Sequence, residues 1–117
     1  VTASVTFPWP PTCLTPNAKR RTHWRTYQRP AKDYRALCGV LTRSARLRIG
    51  AGDVPVVMTI TFNPPDRRRR DDDGMIGAFK HGRDGLADGL GVDDSWFRPT
   101  YVRGEPVKGG AVTVTLP

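Results

Sequence analysis

Apolar and polar positions alternate over residues 4–9, which predicts a short strand, and Pro8, Pro10, Pro11 and Pro16 then forbid regular pairing. The chain from about residue 10 to residue 29 therefore reads as a loop. Over residues 31–48, Tyr34, Leu37, Cys38, Leu41 and Ala45 recur at i, i+3, i+4, i+7 and i+11, the spacing of one helical face. The run Gly50, Ala51, Gly52, Asp53 ends that helix. Residues 54–62 follow as a strand with Val56, Met58, Ile60 and Phe62 on one side. A second helix is predicted over residues 74–90 from Ile76, Phe79, Leu86, Ala87 and Leu90, with Asp73 suited to cap it. Its glycines, Gly74, Gly77, Gly82, Gly85 and Gly89, each cost up to about 1 kcal/mol relative to Ala, so tertiary contacts must hold it. Strands over residues 99–104 and 111–116 close the chain. The order β, α, β, α, β, β predicts an α+β (mixed α/β) fold: one small domain over residues 1–117, a mixed β-sheet with two main helices packed on it.

A chain of 117 residues rarely supports two separate cores, so every motif is expected in one fold. Nineteen Lys and Arg against 11 Asp and Glu give a net charge of +8, the footprint of a polyanion binder. Fifteen of those cations are Arg, whose planar fork contacts phosphate bidentately. In the loop over residues 10–29, Lys19, Arg20, Arg21 and Arg25 alternate with His23, Trp24 and Tyr27, a mixture suited to holding phosphates and stacking on bases. Cys13 and Cys38 form no C-x-x-C pair and show no ligand spacing with His23 or His81, which argues against structural zinc and for a reducing compartment. No stretch has the apolar length of a membrane span, and the opening VTASVTFPW lacks the order of a signal peptide. A cytoplasmic protein is expected, with no membrane partner and no small-molecule cofactor.

The chemistry concentrates in DRRRRDDDG, from Asp66 to Gly74. If the backbone is extended there, Asp71 and Asp73 point to one side and Asp72 to the other. Two convergent carboxylates repel, and a divalent cation or a raised pKa resolves the repulsion; magnesium takes such oxygens and supports phosphodiester hydrolysis. Asp93 and Asp94 would supply a third carboxylate if the following strand returns beside the first, or by a contact between subunits. Taken singly, the acidic triplet also reads as a helix cap, the Asp pair as a turn and the Arg run as a solvated face. A calcium loop fails, because Arg69 and Lys80 occupy positions that need carboxylates. Lys80, two helical turns after Asp73, can approach a phosphate or can pair with Asp84 at i+4.

The segment PPDRRRRDDDG, the later RDGLADGLGVDD and the opening SVTFPWPPT together resemble the RusA-type Holliday-junction resolvases, many of them encoded by phages. The resemblance covers nearly the whole chain. It implies magnesium-dependent hydrolysis (manganese a possible substitute) of DNA at four-way junctions by a homodimer, in recombination and repair, in a bacterial or phage-infected cell. It assigns Asp71, Asp73 and Asp94 to the metal, with Asp93 beside them, and Arg70 to junction binding. With Arg67, Arg68 and Arg69, and with Lys19, Arg20, Arg21 and Arg25, that residue would form the DNA-binding set. The family pattern has Asn after the second Asp and Lys one helical turn later, where this chain has Gly74 and Gly77; Lys80 is the nearest replacement. The alternative function is a branched-DNA-binding protein with weak or no catalysis. A restriction-type nuclease opening at Pro65-Asp66 lacks its acidic-x-Lys partner, since two residues separate Glu105 from Lys108.

Overall fold

Four strands and four helices account for most of residues 3–117, the part of the chain described by the computed structural model. In chain order these are β1 (Ala3–Pro8), α1 (Pro16–Arg21), α2 (Trp24–Ser44), β2 (Val56–Asn63), α3 (Asp72–Ala78), α4 (Lys80–Leu90), β3 (Phe97–Arg103) and β4 (Ala111–Leu116). The sheet runs β1-β4-β2-β3, antiparallel except for the parallel β2–β3 pair. It is the mixed sheet of an α+β fold. Val56, Met58, Ile60 and Phe62 are buried on one face of β2, as the alternation predicts, and meet Val112 and Val114 of β4 in one hydrophobic core. The opposite face carries half-exposed or exposed threonines, among them Thr6 and Thr113, whose hydroxyls lie 3.1 Å apart. Among the described residues, no helix is long and apolar enough to cross a membrane.

Three elements differ from expectation. The predicted loop over residues 10–29 is largely helical: Pro16 occupies the first turn of α1, and the Thr15 hydroxyl caps it by accepting from the Ala18 N–H at 3.2 Å. Helix α2 begins seven residues before the predicted start, capped by His23, and runs through Pro30. It ends at Ser44, and Arg46 turns the chain with φ 58°. The predicted second helix is two helices that meet at Phe79, whose ring is buried against Phe7, Tyr34 and Phe62.

The buried face of α2 is Ala31, Tyr34, Cys38 and Thr42, while Leu37 of the predicted stripe is 43% exposed. This face meets α4, whose glycines are the contact surface rather than a weakness. A Cβ on Gly85 would run into the Arg35 carbonyl and lie 2.8 Å from the Cys38 Cβ; one on Gly89 would lie 2.6 Å from the Thr42 Cβ. Arg35 and Asp88 clamp the same pair of helices with two hydrogen bonds of 2.8 and 3.0 Å. Gly85→Ala is therefore expected to lower stability by about 2–3 kcal/mol, because the obstruction is backbone that cannot rotate away. A Cβ on Gly74 meets nothing within 4 Å, so Gly74→Ala in α3 is expected to raise stability by up to about 1 kcal/mol. Urea denaturation of both variants checks this; equal shifts would remove close approach as the reason for Gly85.

Candidate functional site

The chain leaves β2 at Asn63 and enters the basic-acidic segment at the C-terminal end of the parallel strand pair. Arg70 holds this loop: its Nη1 lies 2.9 Å from Asp66 Oδ1 and donates to the Asp66 and Arg68 carbonyls at 3.1 Å each. Its guanidinium carbon is 5.9 Å from the centroid of the Trp9 ring. Arg70 is thus engaged within the loop, Arg67 contacts Glu105 at 3.5 Å, and Arg68 and Arg69 are exposed. The Arg70 pair, with the Arg68 N–H bond, also holds the Asp66 carboxyl below its ordinary range.

The backbone is extended only at Asp71 and helical from Asp72, so strand alternation does not sort the aspartates, and all three line one cleft. Asp72 Oδ1 accepts from Arg103 Nη2 at 2.7 Å, and the same nitrogen donates to the Arg70 carbonyl at 2.6 Å, so the end of β3 fixes the acidic segment. Asp71 occupies the cap position of α3 without a side-chain capping bond, and Asp73 lies in the first turn rather than at the cap. Among the described residues, neither Asp71 nor Asp73 has an ion-pair partner within 4 Å. Both line an open cleft of about 600 Å³ with Asp72 and Gly74, opposite Thr15, Pro16, Asn17 and Arg20 of the α1 segment. The basic stretch read as a loop is a helix facing the acidic segment.

Lys80 lies outside the lining of this cleft and forms no ion pair with Asp84 among the described residues. Its charge acts instead on Lys19, whose Nζ is 2.7 Å from His81 Nε2 and 5.2 Å from the Tyr27 ring centroid. Burial first, and Lys80 second, lower the Lys19 pKa; burial and then Lys19 lower that of His81. Arg21 and Arg25 are exposed, Arg25 over Trp24. Gly77 is packed shut: a Cβ there would lie 2.5 Å from the Pro16 Cγ, so α1 occupies the space that a Lys at this position would need.

Asp94 stands near the opposite end of β3 from the acidic segment. Among the described residues, no group of three His, Cys, Asp or Glu side chains is placed to hold a metal. The strand expected to return beside β2 does so, but parallel to it, with Phe97 opposite Val56 and Arg103 opposite Phe62. Asp94 precedes its first residue, whereas Asp72 touches its last, and a seven-residue strand separates its ends by roughly 20 Å. The expected three-aspartate cluster is not assembled within one chain. Asp93 caps a short 3-10 turn, its Oδ1 accepting from the Ser95 N–H at 2.9 Å, and that bond holds its pKa down.

Sequence reasoning missed Arg83. Its Nη2 donates to the Asp94 carbonyl at 3.2 Å, its Nη1 to the Tyr101 hydroxyl at 3.2 Å, and its Nε is buried 4.0 Å from Asp94 Oδ2. Stacked over Phe97, it fixes the Asp94 turn against α4. The available signal was its place at the head of the RDGLADGLGVDD segment.

Fold and site together define an α+β protein with two unpaired carboxylates in a cleft bordered by arginine. No family model matches the chain. It is 37% identical over 118 residues to an uncharacterized protein of Xylella fastidiosa (strain Temecula1 / ATCC 700964), an alignment covering 97% of this chain and 74% of that protein. The chain belongs to the same family as that protein.

Proposed function

We propose that the chain is a magnesium-dependent DNA endonuclease that acts as a homodimer on branched DNA, as the resemblance to RusA-type resolvases implies. The observation that carries this reading is the pair Asp71 and Asp73, left without partners in an open cleft while Arg103 neutralises the Asp72 between them. Unpaired carboxylates in a chain of net charge +8 suit a cation that brings its own ligands. They fit magnesium, which commonly takes one or two carboxylates and completes its shell with water and phosphate oxygens. Manganese fits the same donors. Bound there, the cation would supply charge to polarise a phosphodiester and acidify water.

The chain's own residues do the rest. Arg20 stands across the cleft to hold a phosphate, and the exposed Arg68 and Arg69 offer further contacts to the backbone of the DNA arms. Asp94 enters the site only from a second copy. A twofold axis that sets two β3 strands antiparallel places the Asp94 end of one beside the Asp72 end of the other. The cytoplasm, where such a DNA substrate lies, is the compartment this reading implies. The separation of Asp94 within one chain, with the closed position at Gly77, favours a second reading, a protein that binds branched DNA and cleaves nothing.

A labelled four-way junction and a matched linear duplex, incubated in magnesium, manganese and EDTA, decide between them. Paired symmetrical nicks on the junction alone, abolished by EDTA, are expected. Tight, salt-dependent junction binding with no nick in either metal would leave only the binding function.

A further inference from the structure

Beside the acidic cleft lies a second hollow of about 300 Å³, walled by Trp9, Pro10, Pro65, Met75 and Ala78. Thr15, Asn17, Asp71 and Gly74 line both cavities, so the two adjoin. We infer that this hollow takes a single unstacked nucleobase from the strand whose phosphate lies at Asp71 and Asp73. The inference rests on the endonuclease reading and names a contact that reading does not contain.

The walls suit the two surfaces of a base. Its faces are apolar and polarisable, and the part-exposed Trp9 and Pro65 suit such faces, with the buried Pro10, Met75 and Ala78 behind them; its edges are polar, and Thr12, Asn17 and Arg68 also line the hollow. The hollow is also preformed. A Cβ on Gly110 would fall 2.8 Å from the Trp9 Cβ, so bare backbone packs against the indole, and Phe62 meets it edge-on at 6.2 Å. Arg70 lies over the indole while Asp66 holds its guanidinium in place. Pre-set walls spare the ordering cost that a mobile site incurs on binding. A phosphate fits poorly among these apolar walls and belongs in the neighbouring cleft, with Arg20. A base at a branch point, where stacking is already interrupted, costs less to draw out than one inside a duplex.

Trp9 packs on the core, so its removal risks the fold. Gly74→Leu fills the mouth of the hollow from a position where a Cβ meets nothing within 4 Å, and replaces a helix-breaking residue with a helix-forming one. The experiment uses junctions carrying 5-iodouracil at successive positions around the branch, bound in EDTA, irradiated, and mapped by peptide mass spectrometry. A crosslink to the Trp9 peptide from one nucleotide position is expected, and its loss in Gly74→Leu with roughly tenfold weaker junction binding. Binding without a crosslink to that peptide, or a crosslink that survives Gly74→Leu, overturns the base pocket and leaves the nuclease reading standing. Failure to bind the junction at all overturns both.

Discussion

Asp73→Asn is expected to lower junction cleavage in magnesium by roughly 100-fold or more while leaving junction affinity unchanged or slightly tighter. The asymmetry follows from what Asp73 touches. It is exposed, lines the cleft, and has no ion-pair partner within 4 Å among the described residues, so its carboxylate is free for a cation. Asn keeps the shape and removes the charge. On the proposed reading, in which Arg20 and the exposed Arg68 and Arg69 hold the DNA, one negative charge fewer beside the phosphate does not weaken binding. The fold loses only a favourable charge in the first turn of α3, worth about 0.3–1 kcal/mol, which a urea midpoint will register. Asp72→Asn is the control: it breaks the Arg103 contact, an exposed pair worth at most about 1 kcal/mol, and removes no free carboxylate. Cleavage by Asp73→Asn at the wild-type rate would remove the metal from this cleft.

Sequence reading reached the strands for reasons the structure makes plain. Alternation survives in β2 and β4 because one face packs against helices and the other does not; in the acidic segment the backbone turns helical at Asp72, and it is the Arg103 contact, not alternation, that sets Asp72 apart from Asp71 and Asp73. The errors have equally local causes. The α1 segment is basic and short, so it carried no apolar stripe, although Thr15 followed by Pro16 is a helix-start signature. Pro30 concealed the start of α2, because a proline inside a helix resembles one before it. The α4 glycines looked destabilising until α2 was seen lying against them. For Asp94, spacing along the chain gave the length of the path but not its direction. A helix followed by a parallel strand returns the chain to the end where β2 began, and so Asp94 and Asp72 sit at opposite ends of β3.

That placement makes the subunit arrangement testable without a structure of the dimer. Asp73→Asn and Asp94→Asn proteins are each expected to be inactive, and a mixture allowed to exchange subunits is expected to recover about a quarter of wild-type nicking. The fraction follows from symmetry. If a site draws Asp71 and Asp73 from one subunit and Asp94 from the other, a mixed dimer pairs the intact Asp73 of one with the intact Asp94 of its partner at one site, and gathers both lesions at the other. Random exchange makes half of the dimers mixed, each with one working site of two. Their product is diagnostic, because a lone site nicks one strand, and nicked junctions should accumulate in place of resolved duplexes. A site built within one chain gives no recovery, since every subunit then carries a lesion in its own site. Full activity of Asp94→Asn alone would show that Asp71 and Asp73 suffice and that the Arg83-anchored turn serves the fold. Each result assigns Asp94 differently, and the geometry of β3 favours the shared site: the two ends of one strand come together only when a second strand runs the other way.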